Sequence, residues 1–144
     1  MTDAPAFLEV SDLVKEFRDA SWLARALGRR QVMRAVDDIS FSIEQGEMFG
    51  LVGESGSGKS TTGRCVLRLI EPTSGSVKYD GVELTTMGRE ELRQLRRKMQ
   101  IVFQDPYASL DPRKRVRDII AEPLDIQGGL TSDEREKRVA ALLD

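Results

Sequence analysis

The chain has 144 residues, 40% hydrophobic and 32% charged, and its 22 basic and 24 acidic side chains leave a net charge of −2. That balance argues against a dedicated nucleic-acid binder by bulk electrostatics. A single cysteine rules out an internal disulfide, and no run approaches the roughly 18 apolar residues of a membrane span. Met1-Thr2-Asp3-Ala4-Pro5 lacks the basic and apolar regions of a secretory leader, so a cytosolic location is expected.

In chain order, Leu8 and Val10 alternate with Glu9 and Ser11, the pattern of a half-buried strand over residues 7–17. Phe17 closes that run; its ring could stack on a nucleobase or serve as a core or edge aromatic. Residues 18–34 are irregular, basic through Arg25, Arg29, Arg30 and Arg34, and partly apolar through Trp22, Leu23 and Leu27. An exposed loop is favoured there over a partner-binding insertion. Ile39, Phe41 and Ile43 alternate with Ser40, Ser42 and Glu44, a second strand, and Gln45-Gly46 turns the chain. Glu47-Met48-Phe49-Gly50-Leu51-Val52 then reads as a short buried strand.

Gly53-Glu54-Ser55-Gly56-Ser57-Gly58-Lys59-Ser60-Thr61 follows at once and fits Gly-x-x-x-x-Gly-Lys-Ser/Thr, the phosphate-binding loop or Walker A motif. Its glycines let the main chain approach an anion. Successive backbone N–H groups form an anion-binding concavity, and the next helix adds the positive end of its dipole. Lys59 would reach the β- and γ-phosphates and Ser60 would place its hydroxyl on Mg²⁺. Thr62, Val66, Leu69 and Ile70 keep helical spacing up to Pro72, so the order is strand, loop, helix. Cys65, on that helix, reads as buried packing.

Val77 and Tyr79 lead through Asp80-Gly81 to Val82 and Leu84, a hairpin signal. Residues 88–98 read as a helix with Leu92, Leu95 and Met99 on one face and Arg89, Arg93, Arg96, Arg97 and Lys98 opposite. The chain's acidic balance, with Glu90 and Glu91 beside those cations, favours a solvated face over a nucleic-acid surface. Ile101-Val102-Phe103 is expected to be a second short buried strand that delivers Gln104, a candidate sensor of metal and γ-phosphate or a loop-capping amide. Asp111 is placed to cap a helix with Pro112 at its first position; Val116, Ile119 and Ile120 carry it to Pro123. Gly128-Gly129 breaks the chain. Thr131 to Glu134 is a capping box opening a last helix whose stripe is Val139, Leu142 and Leu143.

Four stretches together resemble the nucleotide-binding subunit of ABC transporters, and more narrowly the ATPase subunits of bacterial oligopeptide and dipeptide importers. They are Arg34 to Phe41, the loop Gly53 to Thr61, the hairpin Gly75 to Leu84, and Val102-Phe103-Gln104-Asp105-Pro106-Tyr107-Ala108-Ser109-Leu110-Asp111-Pro112-Arg113. The resemblance implies an α/β fold of the P-loop NTPase, ABC type, with an N-terminal antiparallel β subdomain. It implies ATP and Mg²⁺ as ligands, Phe17 stacked on adenine, residues 53–61 around the phosphates, and Gln104 touching the metal and the attacking water. It also implies membrane permease subunits, a second ATP-binding subunit and, indirectly, an extracytoplasmic solute-binding protein as partners, and a peripheral place on the inner face of the plasma membrane.

The 144 residues contain no Leu-Ser-Gly-Gly-Gln-like stretch, no apolar strand ending in Asp-Glu and no histidine. In the family such motifs lie further along. The expectation is therefore an incomplete ABC domain, with a nucleotide-binding core over 7–104 and the start of a helical subdomain over 105–144, and with apolar sheet surface left open. Glu54 and Asp105 are carboxylates close in sequence to the candidate site, and no motif makes either a general base. Two activities follow: ATP hydrolysis that drives peptide uptake, or nucleotide binding without turnover.

Overall fold

The computed structural model describes residues 6–18, 32–105 and 107–143. The central part of the basic segment, with Arg25, Arg29 and Arg30, lies outside them. The chain divides into two compact units, Met1–Gln100 and Ile101–Asp144.

The first unit is built on four antiparallel strands: β1 (Leu8–Arg18), β2 (Val32–Ile43), β3 (Ser74–Tyr79) and β4 (Val82–Glu83). Their order across the sheet is β2-β1-β3-β4. The predicted alternation holds where β1 begins, with Leu8 opposite Ile43 and Val10 opposite Phe41. It breaks in the middle. Asp12 takes a left-handed φ of 49° and the register slips between Val10 and Leu13. Aspartate tolerates that conformation better than most residues, and the resulting bulge puts Leu13 into the core three residues after Val10. The Asp12 N–H donates to Ser40 Oγ at 2.8 Å, which fixes the bulge against β2. The β3–β4 turn is as expected: Asp80 and Gly81 have φ of 50° and 73°, the two positive values a two-residue type I′ hairpin requires.

Helix α1 (Lys59–Val66) lies on this sheet. Thr62 and Cys65 are its buried residues, and Cys65 joins Val10, Leu13, Val36, Val77 and Leu84 in the core. Burial pushes the Cys65 thiol above its ordinary range, in keeping with a packing role. Helix α2 (Arg89–Leu95) buries Leu92 and continues as a 3₁₀ turn over Arg96–Lys98. Glu91 reaches back to accept the Gly88 N–H at 3.1 Å, so its first turn is capped from inside.

Two strand expectations fail. Residues 47–52 and 101–103 carry no strand pairing, and Met48, Val52 and Val102 are 97%, 91% and 90% exposed. An apolar run becomes a strand only where a neighbour completes its ladder, and no described segment pairs with either. Within the first unit, the Phe49 ring instead stacks on Phe41, with centroids 5.0 Å apart.

The second unit pairs helix α3 (Val116–Gln127) with helix α4 (Ser132–Leu143). Asp111 does not cap α3. Its carboxylate accepts the Arg113 N–H at 3.0 Å and its carbonyl accepts the Lys114 N–H at 3.0 Å, closing a separate turn; Arg115, still extended, is the residue before the helix. Nor does α3 stop at Pro123. The proline lies inside it, and the helix ends at Gly128. The α4 capping box forms as read: Thr131 N–H donates to Glu134 Oε2 at 2.9 Å and Glu134 N–H to Thr131 Oγ1 at 3.4 Å. Arg135 holds Asp125 through two bonds of 2.5 and 2.8 Å. Of the expected apolar stripe only Val139 is buried; Leu142 and Leu143 are exposed. Among the described residues no helix is long and apolar enough to cross a membrane.

Candidate functional site

The loop Gly53–Gly58 runs directly into α1, so Lys59, Ser60 and Thr61 form that helix's first turn. These residues carry N–H groups that an α-helix leaves without internal partners, and Gly58, the residue before the helix, has no side chain to cap them. Gly58 precedes the helix with φ 93°. A Cβ there would lie 2.1 Å from the Ala35 carbonyl oxygen, so the loop rests on the backbone of β2. Thr62, one turn on, returns both its N–H and its hydroxyl to the Gly58 carbonyl, at 2.8 and 3.1 Å.

The ammonium of Lys59 folds back over the loop. It donates to the carbonyls of Gly53 at 2.8 Å and Glu54 at 2.6 Å and to Ser57 Oγ at 3.2 Å. The Ser57 N–H in turn donates to the Glu54 carbonyl at 3.2 Å. The Glu54 contribution to this geometry is thus its backbone oxygen. Ser55 and Gly56 form the outer turn, and Ser60 is exposed at the helix start. A cation poised over the concavity, beside the uncapped first turn of a helix, is the chemistry that receives a chain of phosphates.

Phe17 lies near the end of β1, 37% exposed, with its Cα paired to Met33. Met33 is two residues from Ala35, so the ring belongs to the same end of the sheet as the loop, about 7 Å along the strand from the point where Gly58 rests. Neighbouring charges are paired: Arg34 holds Glu16 at 3.1 Å and Asp37 at 2.8 Å. Gln104 belongs to the second unit, exposed in the irregular stretch before the Tyr107–Ser109 turn. Asp105 there accepts the Tyr107 N–H at 3.0 Å.

Two contributors escape the sequence reading. Ala35, whose carbonyl supports Gly58, carries no chemical signal of its own. Lys15, whose ammonium lies 5.1 Å from the centroid of the Phe17 ring, is visible only as a Lys-x-Phe spacing on one strand face.

A family model described as ABC transporter matches residues 36–144. The oligopeptide transport ATP-binding protein OppD of Mycobacterium tuberculosis is 51% identical over 144 residues, covering 99% of this chain and 23% of that protein. A Brucella ovis protein provisionally named a peptide import ATP-binding protein is 45% identical over 144 residues, covering all of this chain and 42% of its own length. The chain thus spans under half the length of these relatives. Among solved structures, the dimeric ABC transporter cassette MJ0796 superposes with a TM-score of 0.71 at 26% identity, covering 91% of this chain and 53% of that one. The post-hydrolysis state of MJ0796 bound to ADP and Pi gives the same TM-score of 0.71 at 25% identity, over 93% and 54% of the two chains. With the loop on β2, the antiparallel sheet and these matches in agreement, the chain belongs to the ABC transporter family.

Proposed function

We propose that this chain is the ATP-binding part of an importer for peptides or related small solutes, coupling ATP binding and hydrolysis to uptake. The observation that carries the reading is the loop Gly53–Thr61, with the Lys59 ammonium gathered by three loop oxygens over an uncapped helix start. The peptide-import names of the relatives supply the solute class.

In this reading Lys59 and the backbone N–H groups of Gly56 to Thr61 hold the phosphates, with Gly53, Glu54, Ser55 and Ser57 shaping the loop. Ser60 and Gln104 contact Mg²⁺, Gln104 orients water, and Phe17 stacks on adenine. Bound Mg²⁺ supplies charge neutralisation on the phosphates. Residues 7–104 carry the nucleotide contacts and 105–144 open the helical part that faces the membrane partners. Those partners are permease subunits, a second ATP-binding subunit and, indirectly, an extracytoplasmic solute-binding protein. The place of work is the cytoplasmic face of the plasma membrane.

Calorimetric titration with Mg-ATP tests it. The unaltered chain should bind, and Lys59→Ala should lose at least tenfold in affinity, because charge-assisted hydrogen bonds are worth about 1.5–3 kcal/mol each. Equal affinity of the two would sink the assignment. The second reading is binding without turnover, in which the Gly53–Thr61 loop holds the phosphates and neither Glu54 nor Asp105 acts as a general base. It gains if phosphate release by the chain does not exceed that of Lys59→Ala.

A further inference from the structure

We propose that Lys15 is a positioning residue for Phe17, holding one face of its ring so that the other is presented to a nucleobase. The inference rests on the nucleotide reading above and adds a residue to it.

The Lys15 ammonium lies 5.1 Å from the centroid of the Phe17 ring, inside the roughly 6 Å reach of a cation–π interaction. Two residues apart on β1, the side chains leave the same face of the sheet. Glu16, between them, points elsewhere and pairs with Arg34 at 3.1 Å. The ammonium is anchored, donating to the Glu71 carbonyl at 2.8 Å. Glu71 follows the turn that ends α1, and α1 opens with Lys59. One side chain therefore ties the aromatic ring to the far end of the helix that carries the phosphate-loop lysine.

The strand itself does not depend on this tie. Glu16 N–H donates to Thr73 Oγ1 at 2.9 Å and Thr73 N–H to the Val14 carbonyl at 2.7 Å, so β1 is pinned beside Lys15 by two other bonds. Loss of the ammonium would release the ring and leave the strand in place. A half-exposed ring pays rotamer freedom when a base stacks on it. A ring already held pays less, which is the gain preorganisation gives.

The test is calorimetry on the whole 144-residue chain with two probes, Mg-ATP and Mg-tripolyphosphate, which lacks a base. The variants are Lys15→Met, Lys15→Arg and Phe17→Ala. Lys15→Met should weaken ATP about threefold, the size of a partly exposed cation–π contact, and leave tripolyphosphate unchanged. Lys15→Arg should restore ATP binding, since a guanidinium can cover the same ring face. Equal weakening of both probes, with a lowered melting temperature, would make Lys15 a strand anchor and overturn the proposal; so would no change in either. If Phe17→Ala shifts ATP relative to tripolyphosphate and Lys15→Met does not, only the positioning role falls. If Phe17→Ala leaves that ratio unchanged, base stacking on Phe17 falls and takes the role of Lys15 with it. No binding by the unaltered chain overturns both.

Discussion

Gly58 and Ala35 meet so closely that a Cβ on the glycine would stand 2.1 Å from the alanine carbonyl oxygen. The phosphate loop is thereby set at a fixed height above β2, and its last glycine is needed on two counts, φ of 93° and the lack of room. Gly58→Ala should cost about 2–5 kcal/mol, the sum of a left-handed penalty and overpacking against backbone. Gly56 has φ of 84° and, among the described residues, nothing within 4 Å of its would-be Cβ; Gly56→Ala should cost only about 1–2 kcal/mol. Urea denaturation of the two variants separates the terms, and equal losses would mean that Gly58 can move off β2.

Ser60 tests the proposed Mg²⁺ contact apart from the proposed phosphate contacts. It stands exposed at the start of α1, beside the Lys59 side chain that folds over the loop. Ser60→Ala removes one oxygen and leaves every loop bond described above intact. ATP affinity should fall about tenfold in Mg²⁺ and stay unchanged in EDTA, since a single bond to a charged partner is worth about 1.5 kcal/mol. A loss of equal size in EDTA would show that the hydroxyl acts on the loop and not on a metal.

How much of this was legible in the sequence depended on how local each determinant is. The hairpin at Asp80-Gly81 and the capping box at Thr131 and Glu134 are decided within four residues, and both form as read. The β1 alternation is right to Val10 and then fails, because the Asp12 bulge is held by Ser40, 28 residues away. The apolar runs at 47–52 and 101–103 have strand-like composition, but pairing is a property of two segments, and no described segment pairs with either. The loop motif was plain, whereas its platform at Ala35 was hidden, since the contact uses a main-chain oxygen that any residue would supply.

Glu83 should give the first unit a sensitivity to acid. Burial by itself would raise its carboxyl. The hydroxyls of Ser76 and Thr85 donate to it, as do the N–H groups of Thr85 at 3.1 Å and Val77 at 3.2 Å, and together they hold it below its ordinary 4.5. A folded-state value below the unfolded one means stability that is fully present above about pH 4.5 and is lost as pH falls through the folded value. Glu83→Gln should flatten that acid limb and lower stability at neutral pH. Melting curves between pH 3 and 7 check it; an acid limb identical in the two proteins would assign the effect to other carboxylates.

Met48 and Val102, 97% and 90% exposed, provide a test in the opposite sense, of side chains that contribute nothing to their own unit's core. Each sits in an apolar run without a strand partner, the kind of surface that associates with other chains. Met48→Lys and Val102→Lys should each leave the unfolding free energy from urea denaturation within about 0.5 kcal/mol of that of the unaltered chain, as exposed substitutions do. Both should raise the concentration at which light scattering detects self-association, because a lysine on an unpaired edge opposes further pairing. A large fall in stability from either substitution would mean that the run is packed after all, and that the strand read from its sequence forms in solution.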